Sequence, residues 1–310
     1  MKMNRIVAFF LLAIFVTSCK KDDGGGIPPR EPLDEVQLKD EAALQAYLQT
    51  HFYNYEKFNA PVDSDFDYKI EFGVIEGVNA DKIPLIDQVE SKEVTVDSDK
   101  GKIIAKVYTL KVREGDLGRS SPTEVDSVYV NYQGILLNGT IFDTSAPGVP
   151  VWFDLVNTVR GFSVGAESFK PGILKSSEPD DGSFSVENYG IGAIFMPSIL
   201  GYSYNFNNAS TRNKIPVYSP LIFTMDLIAV NDDTDHDNDG VPSKNEDLDE
   251  DGLVGNDDTD EDSIPDYLDA DDDGDGKPTR DEITDGNGEI ITPYPDTDRD
   301  GNPDYLDSDS

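Results

Sequence analysis

Hydrophobic residues near the start of the chain recur at the spacing of one helical face. Within residues 41–58, Leu44, Tyr47, Leu48 and Phe52 fall three or four residues apart. Such a stripe is typical of a helix that packs one side against a core. The pattern therefore predicts one amphipathic helix over residues 41–58.

From about residue 66 to residue 230 the pattern changes to short alternating or β-branched runs. Gly, Pro, Asn and Asp separate these runs, as in strands that are joined by turns. Residues 175–190 are polar and contain glycine, which predicts a surface loop inserted between strands. The predicted strands lie in five runs, Asp67–Ile75, Val94–Val96, Ile103–Val112, Val125–Gln133 and Pro220–Val230.

The charge of the chain is concentrated in its last 80 residues. The whole chain carries a net charge of −37, and residues 231–310 contribute 31 acidic and 4 basic side chains to it. This balance argues against a nucleic-acid partner, because nucleic-acid binders carry basic patches. It favours cations as the partners of the tail. One cysteine and two histidines exclude a disulfide framework, a Cys/His zinc site and a Ser–His–Asp triad.

The first residues have the organisation of a signal peptide. Lys2 and Arg5 precede an apolar run of eleven residues, Ile6–Val16, which is too short to span a bilayer as a helix. The run ends in small residues followed by the only cysteine, Cys19. This ending resembles the lipobox of bacterial lipoproteins; the alternative is an ordinary secretory signal that happens to end in cysteine.

The lipobox resemblance implies that Cys19 is acylated after cleavage and anchors the protein to a membrane through its lipid. The Gly- and Pro-rich residues that follow predict a tether. Residue 20 is Lys rather than the Asp of the inner-membrane retention signal, which implies an outer-membrane location. The acidic pair Asp22-Asp23 resembles the surface-export signal of some lipoproteins, so both the periplasmic and the external face stay open.

Four ordered motifs in the body resemble the FKBP-type peptidyl-prolyl isomerases. The segment VDSVYVNYQGILLNGTIFDTS (125–145) matches the family's strand–hairpin–strand opening, and its Asn138-Gly139 pair also predicts a hairpin turn on physical grounds. The other matches are PVWFDLVNTVRGF (150–162), MPSILGYS (196–203) and IPVYSPLIFTMDLIAV (215–230). The resemblance implies isomerisation of X–Pro bonds in proline-containing polypeptides, without a cofactor for catalysis.

Carried over residue by residue, the FKBP resemblance implies a pocket with apolar walls. Val159 would lie at its base, Tyr202 would donate a hydrogen bond to a substrate carbonyl, and Asp143 would lie at the rim. Trp152 alternates with its neighbours and is expected to point away. Phe162, Val151 and Ser203 stand where the family has tryptophan, phenylalanine and glycine. The walls would be formed by Tyr132, Phe142, Phe162, Ile215 and Phe223.

The acidic tail repeats the spacing of a calcium loop, with acidic residues at positions 1, 3, 5 and 12 and a glycine at position 6. In the first loop the acidic positions are Asp235, Asp237, Asp239 and Glu246, and the glycine is Gly240. The third loop has Ser263 in place of glycine. The remaining frames are Asp247, Asp249, Asp251 and Asp258; Asp258, Asp260, Asp262 and Asp269; Asp271, Asp273, Asp275 and Glu282; and Asp296, Asp298, Asp300 and Asp307.

These loops are not paired EF-hands, because four of them have proline at position 8, where the inter-loop ladder needs an N–H. They resemble thrombospondin type 3 repeats, which implies bound structural calcium. The alternative for the tail is an acidic disordered segment. The prolines are Pro242, Pro265, Pro278 and Pro303.

Together these patterns predict an α+β protein, in which an FKBP-like antiparallel β-sheet wraps around a short helix and an irregular calcium-loop repeat tail follows. The predicted function is peptidyl-prolyl isomerisation on exported proteins. The alternatives are a non-catalytic FKBP-like binding module and a calcium-dependent surface spacer. The predicted divisions are a signal peptide (1–18), a tether (19–32), a helix and strands packed on the next domain (33–122), an FKBP-type domain (123–230) and an acidic repeat region (231–310).

Overall fold

The computed structural model describes residues 30–59, 67–176, 184–204 and 214–310. Residues Pro32–Ser310 form one compact unit. The predicted signal peptide, the predicted lipidation site Cys19 and residues 19–29 of the predicted tether lie outside the described residues. In the described part of the chain, no helix combines the length and the apolar character that crossing a membrane would require.

The regular elements are mostly strands. The helices are α1 (Leu33–Thr50), α2 (Tyr55–Phe58), α3 (Arg160–Ala166) and α4 (Thr279–Ile283). The strands are β1 (His51–Tyr53), β2 (Phe72–Val74), β3 (Val89–Ser98), β4 (Gly101–Arg113), β5 (Ser127–Leu136), β6 (Ile141–Thr144), β7 (Val151–Asp154), β8 (Ile173–Ser176), β9 (Phe184–Glu187), β10 (Gly190–Met196) and β11 (Leu221–Asn231).

The first helix starts earlier and ends earlier than its hydrophobic stripe predicts. Leu44, Tyr47 and Leu48 are buried as expected, but α1 ends at Thr50 and Phe52 lies in β1, opposite Gly73 of β2. The prediction for Phe52 was therefore wrong. The sequence from Thr50 to Tyr53 is β-branched and aromatic, and such residues favour a strand once a partner is present.

The central sheet has seven strands and is antiparallel throughout. Its order is β3-β4-β10-β11-β5-β6, and β7 also pairs with β5. The short helix α3 packs against β10, where a Cβ on Gly165 would lie 2.5 Å from Ile194. The prediction of an antiparallel sheet around a short helix is confirmed, and the division into domains stays a prediction.

Alternation along β10 and β11 sorts their side chains into two cores. Ile194 and Phe223 face the core that contains α3, whereas Phe195 and Ile222 face the core that contains Leu44 of α1. Each face of the sheet is covered by its own helix, so apolar residues are buried on both sides. The sequences of these strands are therefore nearly continuous hydrophobic runs.

The segment 175–190 was predicted to be a loop, and this was wrong for its described parts. Strands β8 and β9 pair antiparallel, with Leu174 opposite Val186. In β8 the apolar residues Ile173 and Leu174 are adjacent and both exposed, so the segment lacks the alternation that indicates a strand on a core. Residues 177–183 lie outside the described residues.

Residues 231–310 form short turns rather than long regular elements. Each of the four prolines at loop position 8 immediately precedes a short helical turn, which suits a residue that has no N–H to donate. The region contacts the body of the protein, since the Thr234 hydroxyl accepts from the Ser127 N–H (3.2 Å) and Arg160 donates to the Asp251 carbonyl (2.9 Å).

Candidate functional site

Seven of the eight residues predicted for the isomerase pocket lie in one apolar cluster, although they come from distant parts of the chain. Strands β5, β6 and β11 each supply an aromatic ring, and α3 with its preceding residue supplies two more side chains. Two further members flank the segment 205–213. The cluster contains Tyr132, Phe142, Val159, Phe162, Tyr202, Ile215 and Phe223.

Phe223 lies at the centre of the aromatic rings. Its ring centroid is 5.3 Å from that of Phe162 and 5.6 Å from that of Phe142, both with edge-to-face geometry. Tyr132 lies 6.5 Å away in a tilted arrangement. Such edge-to-face packing is a favoured arrangement of aromatic rings, so the three buried phenylalanines form a fixed apolar floor.

Polar atoms are confined to the rim of this floor. The Tyr132 hydroxyl donates to Asp143 Oδ2 at 2.8 Å, which joins the eighth predicted residue to the cluster. Tyr202 lies edge-on to Phe142 at 6.4 Å. Burial raises the pKa of the Tyr202 hydroxyl, and the Asp143 charge raises that pKa further. Tyr202 therefore keeps its proton and stays a hydrogen-bond donor.

Two glycines of the motifs make room for the cluster. A Cβ on Gly134 of β5 would lie 2.5 Å from the Phe142 ring, so the ring lies directly on the strand backbone. A Cβ on Gly161 would lie 2.6 Å from the sulfur of Met196, which lets α3 approach β10 closely. These distances explain why the sequence has glycine beside its aromatic residues at both places.

Hydrogen bonds within the turn and to α1 fix the segment that leads to Tyr202. Ser203 has a φ of +46°, the left-handed region that favours glycine, and its N–H donates to the Ser198 carbonyl at 2.8 Å. Asp40 of α1 is buried and accepts hydrogen bonds from the Ser198 N–H (2.7 Å) and hydroxyl (2.5 Å). The first helix therefore fixes the turn that precedes Tyr202.

Sequence reasoning missed Phe153, which completes one wall of the cluster. Its ring lies 4.9 Å from Tyr132 and 5.9 Å from Phe162. The alternation of β7 carried the signal, because Trp152 points away, is 54% exposed and stacks on Tyr129 at 5.1 Å. The expected orientation of Trp152 is confirmed. Val151 is partly buried opposite Val130.

The five acidic loops share one backbone geometry. In each, the first aspartate accepts a hydrogen bond from the N–H of position 6, at 2.9–3.2 Å. Positions 4 and 6 of every loop have positive φ, including Ser263 with a φ of +81°. The same turn is therefore built five times, and Ser263 adopts it without being glycine.

Each loop brings acidic side chains together. One oxygen from each member of a group lies within 4.8 Å of the others, in the groups Asp237, Asp239, Glu246 and Asp272; Asp247, Asp249 and Asp251; Asp258, Asp260 and Asp262; Asp271, Asp273 and Asp275; and Asp296, Asp298 and Asp300. The predicted residues Asp235, Asp269, Glu282 and Asp307 are not in these groups. Asp272 is in the first group although it belongs to the fourth loop, and sequence spacing gave no signal for it.

Several carboxylate oxygens in these groups are buried without a hydrogen-bond partner among the described residues. Both side-chain oxygens of Glu246 and of Asp272 are in this state, and each residue is only 1% exposed. Burial, with the neighbouring carboxylates, raises the pKa of Glu246 and of Asp272 to about 9. A buried carboxyl without a donor keeps its proton unless a counter-charge is present, and a divalent cation with oxygen ligands is one counter-charge that suits this arrangement.

Comparison with known proteins identifies two isomerases whose sequences are similar to part of this chain. The chain is 39% identical over 130 residues to the peptidyl-prolyl cis-trans isomerase Mip of Coxiella burnetii, which covers 42% of this chain and 47% of Mip. It is 30% identical over 110 residues to a probable FKBP-type peptidyl-prolyl cis-trans isomerase, FkpA of Neisseria meningitidis, covering 35% of this chain and 33% of FkpA. The chain is homologous to FKBP-type peptidyl-prolyl isomerases. It spans less than half the length of these curated relatives.

Other similarities are more limited. A peptidyl-prolyl isomerase from Pseudomonas syringae aligns with 66% of this chain and 98% of its own, at 18% identity and a TM-score of 0.35. FkpA of Escherichia coli aligns with 45% of this chain and 52% of its own, at 26% identity and a TM-score of 0.29. Both scores are low, so the homology rests on the sequence matches. A family model described as BamM C-terminal matches residues 236–295, within the acidic repeats.

Proposed function

We propose that the protein is an FKBP-type peptidyl-prolyl cis–trans isomerase that acts on X–Pro bonds of exported polypeptides at the bacterial cell envelope. The observation that carries this proposal is the convergence of Tyr132, Phe142, Phe162, Tyr202 and Phe223 in one cluster, with hydroxyl groups only at its rim. The two isomerase relatives support the reaction class.

Rotation about an X–Pro bond needs no acid, base or nucleophile. The barrier is about 18–20 kcal/mol because the amide C–N bond has partial double-bond character. The twisted transition state has lost this resonance and part of its charge separation. An apolar surface therefore stabilises it relative to the planar, dipolar ground state, which is catalysis by differential binding.

The proposed roles follow from where the side chains lie. Phe162, Phe223 and Phe142 form the surface that receives the prolyl ring. The Tyr202 hydroxyl is a donor for a substrate carbonyl, and so is the Val159 N–H, which donates no hydrogen bond within the described residues. Asp143 fixes the Tyr132 hydroxyl, so that this ring keeps its place in the wall.

A proline-peptide isomerisation assay tests the proposal. We expect Phe162→Ala to remove most of the activity because it removes the floor, and Tyr202→Phe to lower it by about threefold to tenfold, the value of one hydrogen bond. Trp152→Phe is the matched aromatic control, since Trp152 points away from the cluster, and it should retain wild-type activity. Absence of acceleration by the wild-type protein would rule out the enzymatic assignment.

The second candidate function is that of a non-catalytic binding module. Phe162, in place of the family's tryptophan, favours it because the floor loses the indole ring and its N–H. In this case proline-containing peptides bind the cluster without acceleration of isomerisation. Peptide binding by the wild-type protein that is lost in Phe162→Ala, together with an inactive wild-type protein, would favour this candidate.

We further propose that the acidic repeats bind structural calcium and that a lipid on Cys19 anchors the protein to the outer membrane. The buried carboxylate oxygens without donors fit a hard cation; the aspartates at positions 1, 3 and 5 of loops two to five would hold it, and in the first loop Asp237, Asp239 and Glu246 would do so. Calcium titration followed by calorimetry tests the first part. Palmitate labelling and membrane fractionation of Cys19→Ala test the second, and labelling that survives this substitution would contradict the anchor. A calcium-dependent surface spacer remains the alternative for the tail.

A further inference from the structure

The first and fourth acidic loops contribute to the same group of carboxylates. One oxygen each of Asp237, Asp239, Glu246 and Asp272 lies within 4.8 Å of the other three. The first three residues belong to loop one, whereas Asp272 lies between two residues of the group in loop four, Asp271 and Asp273. Asp272 lies in the turn between these two residues, and its carboxylate belongs to the first group rather than to the fourth.

This group is the most enclosed of the five. Glu246 and Asp272 are each 1% exposed, and Asp239 is 3% exposed. The other four groups have three members each and include at least one exposed residue. The oxygens of Glu246 and Asp272 also have no donor among the described residues, so protein hydrogen bonds do not account for their burial.

The surroundings of the group do not neutralise it. Arg280 donates to the carbonyl of Asp239 at 3.4 Å. One guanidinium against four carboxylates leaves an excess of negative charge. A divalent cation would balance this excess negative charge, and four carboxylates supply most of the six to eight oxygens that calcium takes.

We propose that Asp237, Asp239, Glu246 and Asp272 form one shared divalent-cation site that joins the first loop to the fourth. This inference rests on the proposed calcium binding of the repeats and goes beyond it, because independent loops would each bind their own ion. The shared ion acts as a non-local crosslink in the repeats and closes a long stretch of chain.

The site also connects the repeats to the body. The start of the first loop contacts the sheet domain, since the N–H of Thr234, just before the loop, donates to Asp126, just before β5 (3.3 Å), and His236 Nε2 lies 3.4 Å from Asp154 at the end of β7. Thr234 and His236 flank the first aspartate of this loop. An ion held by Asp272 therefore ties the fourth loop to the part of the tail that is already fixed on the sheet.

The test counts calcium ions bound to the full chain by native mass spectrometry at increasing free calcium. We expect Asp272→Asn to lose one ion, or to need at least about tenfold more calcium to fill one site. Glu246→Gln should lose the same ion, and the double variant should lose one ion rather than two. Asp281→Asn removes one charge from an exposed position of α4 and is the matched control; it should bind as the wild type does.

Thermal melting separates a ligand role from a structural one. With calcium, Asp272→Asn should melt at a lower temperature than the wild type. With a chelator the order should reverse, because the substitution removes one of four carboxylates that repel each other. Destabilisation of equal size in both conditions, loss of two ions by the double variant, or an unchanged ion count would overturn the shared site. A wild-type protein that binds no calcium would overturn the proposed function of the repeats as well.

Discussion

Carboxylates are buried in both the sheet domain and the acidic repeats, but the two regions stabilise them differently. In the sheet domain Asp40 is buried and accepts two hydrogen bonds from Ser198. In the repeats Glu246 and Asp272 are buried just as deeply, and their oxygens have no donor in the described parts of the chain. The first region supplies its own partners, and under the proposed function bound ions supply those of the second region.

The two regions also differ in how much apolar surface they bury, so we expect hydrophobic burial to stabilise the first and charge neutralisation to stabilise the second. The sheet domain has two apolar clusters, one on each face of the sheet. The repeats have one small buried cluster, Val241, Ile283 and Tyr305. Apolar burial contributes about 25 cal/mol per Å², so the small cluster cannot offset the repulsion of a segment with net charge −27.

The largest expected effect is that of calcium removal on proteolysis. With calcium at about 100 times its dissociation constant, a folded-state site is stabilised by about 2.7 kcal/mol, so chelation should speed cleavage within residues 231–310 by about 100-fold. Cleavage within the described parts of residues 67–230 should change little. Mass mapping of the fragments measures both rates, and magnesium at equal ionic strength is the control. Equal acceleration in both regions would show that the repeats are not separately ion-dependent.

The next largest effect is expected from a methyl group added under the aromatic cluster. In Gly134→Ala the new Cβ would lie 2.5 Å from the Phe142 ring and 3.1 Å from the Phe223 ring. Overpacking of this kind costs about 1–3 kcal/mol in the free energy of unfolding. We also expect a loss of isomerase activity, because both rings belong to the proposed floor.

The control for Gly134→Ala is Gly255→Ala in the second repeat. A Cβ there meets nothing within 4 Å, and Gly255 does not have a positive φ. Urea unfolding of the two variants with and without calcium measures the cost of each methyl group. If Gly134→Ala unfolds like the wild type, the rings have room to move and the floor is not rigid.

The sequence predicted much of the local structure, because local rules govern it. Asn138-Gly139 lies in the hairpin between β5 and β6, where Leu136 pairs with Thr140 and Gly139 takes the left-handed position of a three-residue loop, with a φ of +83°. The five loop frames correspond to five repeated turns, since glycine or aspartate is needed at fixed positions in each. The family motifs also predicted seven residues that lie together in one apolar cluster.

Contacts between distant segments could not be read from the sequence. Phe52 fits the helical stripe, and only the partner strand β2 places it in a strand. Phe153 alternates with Trp152, but alternation alone does not say which face meets Phe162. Asp272 is one aspartate among many, and its partners lie three loops earlier. In each case the deciding term is tertiary packing, which competes with local propensity.

A smaller effect is expected from a solitary buried carboxylate in the sheet domain. Burial raises the pKa of Asp226 to about 7, while a hydrogen bond from Asn131 and the charge of Arg113 oppose the shift and Asp67 adds to it. Folding is therefore penalised above pH 7, where Asp226 is ionised, and the penalty disappears as the pH falls toward 4. Asp226→Asn should raise the free energy of unfolding by about 1–3 kcal/mol at pH 8.5 and by much less at pH 5.

The pH dependence of Asp226→Asn distinguishes burial from a general effect of charge. Asp81→Asn removes the same charge from an exposed position of the sheet domain and should change stability little at either pH. Urea unfolding at the two pH values measures both variants. A gain for Asp226→Asn that is equal at pH 5 and pH 8.5 would mean that the carboxylate is not penalised by its surroundings.

The smallest effect is expected at two serines that stand where each region's pattern has glycine. Ser203, which follows Tyr202 of the apolar cluster, has a φ of +46°, and Ser263 in the third loop has a φ of +81°. Glycine would relieve about 1–2 kcal/mol of left-handed strain but would also loosen the unfolded chain, so the net gain should be about 0.5 kcal/mol.

Ser120→Gly, at an exposed serine without a positive φ, should instead lose about 0.5 kcal/mol. Because the sheet domain has apolar cores of its own, we expect Ser203→Gly to stabilise in chelator and in calcium, whereas Ser263→Gly should stabilise only when calcium has ordered the loop. Thermal melting measures all three, and a gain for Ser263→Gly in chelator would mean that the repeats hold their turns by backbone geometry alone.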